Sequence, residues 1–167
     1  MLERQNPSTV RKFLESINVR YEYFEHAPVE TMEDCKEVAK TTGADFCKNL
    51  FLQNRQGTEY FLLLIDQDKK FRTAEVSKLI GKARLSFGSQ DKLYEYLGVA
   101  PGAITPLGLI FDSEQKVTVL IDKALIKMDK VSVHPLVNNA TVTLKTADVI
   151  GVLMEATGHT PIFIEIN

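Results

Sequence analysis

Three kinds of side chain in this sequence could do chemistry, and each is scarce enough to follow individually: one oddly placed lysine, three histidines and two cysteines. Lys48 opens the run Lys48-Asn49-Leu50-Phe51-Leu52. By the two-residue alternation of a strand, its side chain shares a face with Leu50 and Leu52. Burying an unpaired ammonium is very costly, so Lys48 must either snorkel to solvent at the strand end or meet an anion. His26, His134 and His159 lie far apart, and a lone histidine is more often structural than catalytic. His134 stands out by position: it follows Val131-Ser132-Val133, precedes a proline that cannot extend a ladder, and is followed by Asn138-Asn139. Strand ends of this kind are where binding groups concentrate. Cys35 and Cys47 make no CxxC pair and have few histidines nearby, which fits ordinary semi-buried thiols and neither a disulfide scaffold nor a zinc site. Gly102 and Pro106 bracket Ala103-Ile104-Thr105; a glycine lets backbone approach a ligand closely and a proline stiffens the segment, although a plain rigid loop has the same composition. The sequence has no GxSxG elbow, Walker A loop, GxGxxG or HExxH, so the common nucleophile and nucleotide chemistries have little support.

The elements that must position these residues can be read from periodicity and caps. Asn6 or Ser8 caps a first helix with Val10, Phe13, Leu14 and Ile17 inward, ending at Asn18. Tyr21 to Phe24 reads as a strand, and Thr31-x-x-Asp34 starts a helix carrying Cys35, Val38 and Ala39 inward as far as Gly43. Lys48 to Leu52 and Glu59 to Ile65 form a hairpin through Asn54-Arg55-Gln56-Gly57. Thr73 caps a helix with Val76, Leu79 and Ile80 inward; Arg84 to Phe87 is extended; Ser89 caps a helix through Leu93 and Leu97 that Gly98 stops. Leu107 to Phe111 and Val117 to Ile121 are predicted to form a second hairpin, followed by strands Val131 to Val133 and Thr141 to Leu144. A helix capped by Thr146, with Val149, Ile150, Leu153 and Met154 on one face, precedes a terminal strand from Ile162 to Ile166. Strands mostly adjoin strands, so the expected class is α+β with a mixed, largely antiparallel sheet and flanking helices.

With 167 residues, 44% apolar and 25% charged, the chain can bury about two-thirds of its unfolded surface in one core, and without a repeat or linker it is expected to form one domain over 1–167. Disordered and collagen-like classes are excluded. The longest apolar run, Tyr60 to Ile65, is far short of the roughly 18 residues of a membrane span, and Met1 to Pro7 carries no apolar leader stretch, so a cytoplasmic protein without a membrane partner is expected. The net charge of −2 gives no global attraction to nucleic acid, and DNA is not an expected partner. Charge is nonetheless segregated: Glu22, Glu25, Glu30, Glu33, Asp34 and Glu37 crowd one segment, and Lys69, Lys70, Arg72, Lys78, Lys82 and Arg84 crowd another. The second segment is either a local basic patch or a solvated helix face.

Five ordered blocks, Lys48 to Leu52, Arg84 to Phe87, Leu97-Gly98-Val99-x-Pro101-Gly102, Thr105 to Leu109 and His134-Pro135, resemble the freestanding YbaK-type editing domains associated with prolyl-tRNA synthetase. Asn139-Ala140-Thr141 and Gly158-His159-x-Pro161 extend the resemblance over nearly the whole chain. It is closest in pattern to single-domain prolyl-tRNA deacylases that remove mischarged alanine. The resemblance implies a YbaK-like fold, hydrolysis of an aminoacyl ester without metal or cofactor, and the acceptor end of a mischarged tRNA as partner, with prolyl-tRNA synthetase as a second. It implies that Lys48 is the lysine required for activity, Gly102 to Pro106 (hence Ala103, Ile104 and Thr105) the substrate loop, His134 the pocket histidine, and Arg84 and Ser86 the strand lining the site. Gln53-Asn54, Gly88 and Val133 depart from the family pattern and bear on pocket size and stem contacts.

An aminoacyl ester is already activated, so such an enzyme needs mainly to exclude the wrong acyl group, position a water and stabilise an oxyanion. Lys48 can supply a cation and His134 a wall or hydrogen bond; no carboxylate at suggestive spacing makes His134 a general base. Two other readings remain at this level: removal of another small acyl group such as cysteine, and a catalytically silent tRNA-binding regulatory module.

Overall fold

A computed structural model describes residues 2–167; of the expected domain, only Met1 lies outside the described residues. Helix α1 (Pro7–Ser16) begins where the Asn6 side chain accepts from the Ser8 amide and buries Val10 and Leu14. After β1 (Tyr21–Glu25), α2 (Met32–Thr42) opens on a reciprocal capping box between Thr31 and Asp34 and closes at Gly43, whose φ of 76° favours glycine. Strands β2 (Cys47–Gln53) and β3 (Tyr60–Asp66) form the antiparallel hairpin, with Lys48 opposite Ile65. Then come α3 (Thr73–Leu79), β4 (Ser86–Phe87) and α4 (Gln90–Leu97), followed by 3-10 turns at Pro101–Ala103 and Pro106–Phe111. The chain ends through β5 (Val117–Asp122), β6 (Lys130–Val133), β7 (Ala140–Lys145), a π turn leading into α5 (Met154–Thr157), and β8 (Ile162–Ile164).

The strands form two open sheets, β1-β7-β6 and β4-β2-β3-β5-β8. Four of the six pairings are antiparallel and two, β3 with β5 and β5 with β8, are parallel, which makes the class α+β, mixed and largely antiparallel. Strand β3 explains why the larger sheet is covered on both faces. Tyr60, Leu62 and Leu64 belong to one apolar cluster and Phe61, Leu63 and Ile65 to another, so its unbroken apolar run feeds two cores through one alternation. Among the described residues no helix is long and apolar enough to cross a membrane.

Four expectations need correction. Leu107 to Phe111 is not a strand; the second hairpin is absent and β5 pairs with β3 in parallel. Pro106 starts a helical turn there, the Thr105 hydroxyl accepts from the Leu107 amide, and Gly108 lies so close to α4 that an added Cβ would sit 2.4 Å from the Leu97 carbonyl oxygen. Thr73 is the first residue of α3 and not its cap, and Leu79 is 45% exposed. Thr146 caps nothing: its hydroxyl is buried without a partner and it is itself the first helical residue, the helix running on as a π turn from Asp148, although Val149, Leu153 and Met154 are buried as expected. The terminal strand stops at Ile164.

Candidate active site

The two sheets touch at one isolated parallel bridge, Phe46 with Ser132, backed by the Ser132 amide donating to the Asp45 carbonyl at 2.9 Å. Lys48 and His134 stand two residues beyond the two bridge partners, and both face the cleft at the mouth between the sheets. Both line a cleft of about 290 Å³, at the small end of ligand sites. Cys47, Asn49 and Leu50 continue the β2 wall; Val29 to Met32 and Cys35 form the wall at the entry of α2; Pro101, Gly102 and Ile104 form the third. Side-chain amides hold the walls together. Asn49 Nδ2 donates to the Ile104 carbonyl at 3.2 Å, and Asn138 Nδ2 donates to the Val29 carbonyl at 3.0 Å.

Lys48 resolves its burial problem through backbone: Nζ donates to the Lys69 carbonyl at 2.6 Å, in the turn after β3. The ammonium is thus fixed in place by a neutral acceptor, which leaves its charge available to a substrate. His134 is only 8% exposed, its ring centroid lies 5.4 Å from that of Phe46, and its Nδ1 is buried without a partner. Burial pushes its pKa down to about 4, opposed by a backbone hydrogen bond with Ala140 and aided by nearby His26. The imidazole is neutral near pH 7. Between pH 6.5 and 4 the unfolded chain binds a proton that the folded chain refuses, so this residue makes stability fall as pH drops through that window. The loss should reach roughly 3 kcal/mol, and His134→Gln should remove it. Thermal melts across that range test this: an equally steep acid limb in the variant would assign the loss to other groups.

Among the described residues the cleft holds no activated nucleophile. Burial raises the Cys35 thiol to about 11 and the Cys47 thiol to about 12, so both stay protonated. The other histidines are occupied elsewhere. His26 Nε2 lies 2.6 Å from the Thr141 hydroxyl, and His159 Nε2 lies 2.8 Å from Asp112 Oδ2. Burial alone would raise the Asp112 carboxyl, but hydrogen bonds from His159 and from the Val117 and Lys116 amides hold it below its usual range. That pair closes the loop before β5 and is structural. Among the described residues no three His, Cys, Asp or Glu side chains gather as a metal site.

Of the residues expected at the site, the structure brings together Lys48, Gly102, Ile104 and His134. Ala103 is buried and faces a neighbouring cleft on the other side of Gly102, while Thr105 and Pro106 are buried where they start the second 3-10 turn. Arg84 and Ser86 are exposed and lie outside the cleft lining. The reason is register: Ser86 pairs with Gln53, at the opposite end of β2 from Lys48. The family departures also lie away from the cleft. Gly88 is pressed against the Phe51 ring, where a Cβ would fall 2.4 Å from ring carbon, and Val133 is fully buried in the core. Asn49 and the 29–35 wall were not foreseen; the Thr31 capping box marks the start of α2 but gives no sign of which way it faces.

Gly102 offers a clean test of substrate approach. Its φ lies outside the positive region and a Cβ would meet only Asn138 Nδ2, at 3.4 Å. Gly102→Ala should therefore melt within about 2 °C of the parent, yet lose deacylation by about tenfold or more if the ester lies against this backbone. Full activity in the variant would remove Gly102 from the substrate path.

A sequence model of the aminoacyl-tRNA editing domain matches residues 26–152. The prolyl-tRNA editing protein ProX of Acetoanaerobium sticklandii is 35% identical over 147 residues, covering 88% of this chain and 89% of that protein. Prolyl-tRNA synthetase associated domain-containing protein 1 of Danio rerio is 30% identical over 160 residues, covering 95% and 86%. The crystal structure of the hypothetical protein APE2540 superposes with a TM-score of 0.69 at 20% identity over 92% of this chain and 97% of that one, which shows the shared fold. A crystal structure of a proposed trans-editing enzyme for prolyl tRNA synthetase does so with a TM-score of 0.70 at 17% identity over 96% and 97%. Because the matched stretch takes in all three walls of the cleft, with Lys48, Gly102 and His134, the chain belongs to the aminoacyl-tRNA editing domain family and is an aminoacyl-tRNA deacylase.

Proposed function

We propose that the chain is a trans-editing hydrolase for mischarged tRNA(Pro), with alanyl-tRNA(Pro) as its substrate. The observation that carries this reading is the cleft itself: small, holding an ammonium and a neutral imidazole, and lined by thiols that stay protonated. Such a site suits water as nucleophile. Water attacks the ester carbonyl, Lys48 stabilises the oxygen that gains charge, and collapse of the tetrahedral species breaks the bond to the terminal ribose oxygen, which leaves as a hydroxyl with a proton from the attacking water. The products are free amino acid and uncharged tRNA. His134 supplies a rigid, uncharged wall.

The acyl preference follows from size. A synthetase site built for proline rejects smaller amino acids only by lost contacts, worth roughly 1–3 kcal/mol per methylene, so a second site is needed. The names of the two relatives point to the same synthetase system. Prolyl-tRNA synthetase is then the enzyme whose errors this chain corrects. Alanyl, cysteinyl, seryl and prolyl esters on the same tRNA(Pro) test the reading. Rapid loss of the alanyl ester with the prolyl ester spared is the expected result. Rapid loss of the prolyl ester overturns editing, a preference for cysteine overturns only the alanine assignment, and no turnover of any ester would favour a silent binding module.

A further inference from the structure

We propose that Phe87, on edge strand β4, is a stacking platform for an unpaired base of the tRNA 3′ end, with Arg72 and Arg84 binding the adjoining phosphates. The proposal rests on the tRNA reading above and adds a second binding surface outside the cleft. Phe87 is 64% exposed, more than any other large apolar side chain among the described residues. Leaving an aromatic ring in water gives up burial free energy, and here the ring is held in position. Its centroid lies 5.7 Å from that of Phe71 at an interplanar angle of 56°, and Phe71 itself packs on the core cluster that includes Leu52 and Ile65.

The platform is aligned with the cleft. Phe87 is the cross-strand partner of Leu52, so the two share a face of the sheet. Leu52, Leu50 and Lys48 alternate onto that same face, and Lys48 precedes Leu52 by about 13 Å of strand. Leu50 lines the cleft and also packs against the Phe71 cluster. A row therefore runs from Lys48 through Leu50 to the two phenylalanine rings, and the turn that holds Lys48 Nζ continues directly into Phe71.

The charge around the rings suits an RNA strand. Lys69 and Lys82 are taken up by Asp122 and Glu59, but among the described residues Lys70, Arg72, Lys78 and Arg84 form no ion pair and are exposed. An exposed aromatic ring among unpaired cations is what single-stranded nucleic acid recognises, because every base has a π-face and every linkage a phosphate. A protein-docking patch would instead have charge depleted at its centre. The occupant is thus the single-stranded terminus, threading from the platform into the cleft where its ester is cut.

Binding of the full chain to uncharged tRNA(Pro), intact or with its unpaired 3′ nucleotides trimmed, tests this without any hydrolysis. The parent should bind the trimmed RNA about tenfold more weakly. Phe87→Ala should bind the intact RNA about tenfold more weakly than the parent and lose clearly less than the parent does on trimming, only the contacts within the cleft remaining to be lost, whereas Phe87→Trp should bind as the parent does. Phe87→Ala binding intact tRNA at parental strength, or losing equally on both RNAs, would overturn the platform. The two readings fail separately: a protein inert toward every ester can still show the trimming effect, and an active deacylase can lack it.

Discussion

Lys48→Ala should lower deacylation by about 100-fold or more, the usual cost of removing a positioned group that stabilises charge in the transition state. The same change should barely touch the fold. In structural terms it removes one hydrogen bond, from Nζ to the Lys69 carbonyl, and shortens a half-buried stem. A bond of that kind is worth about 1 kcal/mol, or roughly 2–4 °C of melting temperature for a chain of this size. Activity and stability are therefore expected to separate widely. Single-turnover rates locate the effect further. If Lys48 meets the developing oxyanion, the loss falls on the rate at saturating tRNA; if it meets the terminal phosphate in the ground state, the loss falls on affinity. Lys48→Arg should not restore the parental rate, because a planar fork cannot place a point donor at the same spot. A folded Lys48→Ala protein with near-parental turnover would remove this residue from the chemistry.

An ammonium on the apolar side of a strand is anomalous on pattern alone, and the β2-β3 hairpin that carries it follows from alternation and the Asn54 to Gly57 turn. Its partner was not legible, since the Lys69 carbonyl lies 21 residues away and no side-chain pattern marks a backbone acceptor. His134 was likewise visible as a strand-end residue, but its depth was not. That depends on Phe46, which packs on it where a parallel bridge to Ser132 brings the two sheets together.

Where sequence reading failed, tertiary contact overrode a locally reasonable pattern. Leu107 to Phe111 is a short apolar run, and periodicity cannot tell such a run in a 3-10 turn from one in a strand. The choice was made by Gly108, which lets the segment lie directly on the Leu97 carbonyl. Arg84 and Ser86 are a different case. The family resemblance implied that they line the site, whereas β4 pairs with the far end of β2, which places these residues at the basic and aromatic edge. The basic segment also proved to be two populations. Lys69 points inward as a structural cation, while Arg72 and Arg84 remain on the surface.

That inward cation carries a large expected stability effect. Asp122 is completely buried; Oδ1 accepts from Lys69 Nζ at 3.0 Å and from the Ala124 amide at 3.1 Å, and Oδ2 accepts from the Asp66 amide at 3.1 Å. Asp122→Ala would leave two amides without acceptors and an ammonium that is only 25% exposed without a counter-charge. Breaking such a pair from one side costs about 3–5 kcal/mol, and partial solvation of Lys69 puts the expectation at the lower end, about 3 kcal/mol or roughly 10 °C in melting temperature. Asp122→Asn should fall between parent and alanine variant, since it keeps an oxygen acceptor and the shape but loses the charge. Lys69→Met should also be costly, because it strands a buried carboxylate. The double change to alanine and methionine should then cost less than the sum of the single changes, as partners in one buried pair do. Thermal or urea unfolding of the four proteins decides it. A melting temperature for Asp122→Ala within 2 °C of the parent, or strict additivity in the double variant, would mean that the carboxylate and ammonium are not coupled in solution.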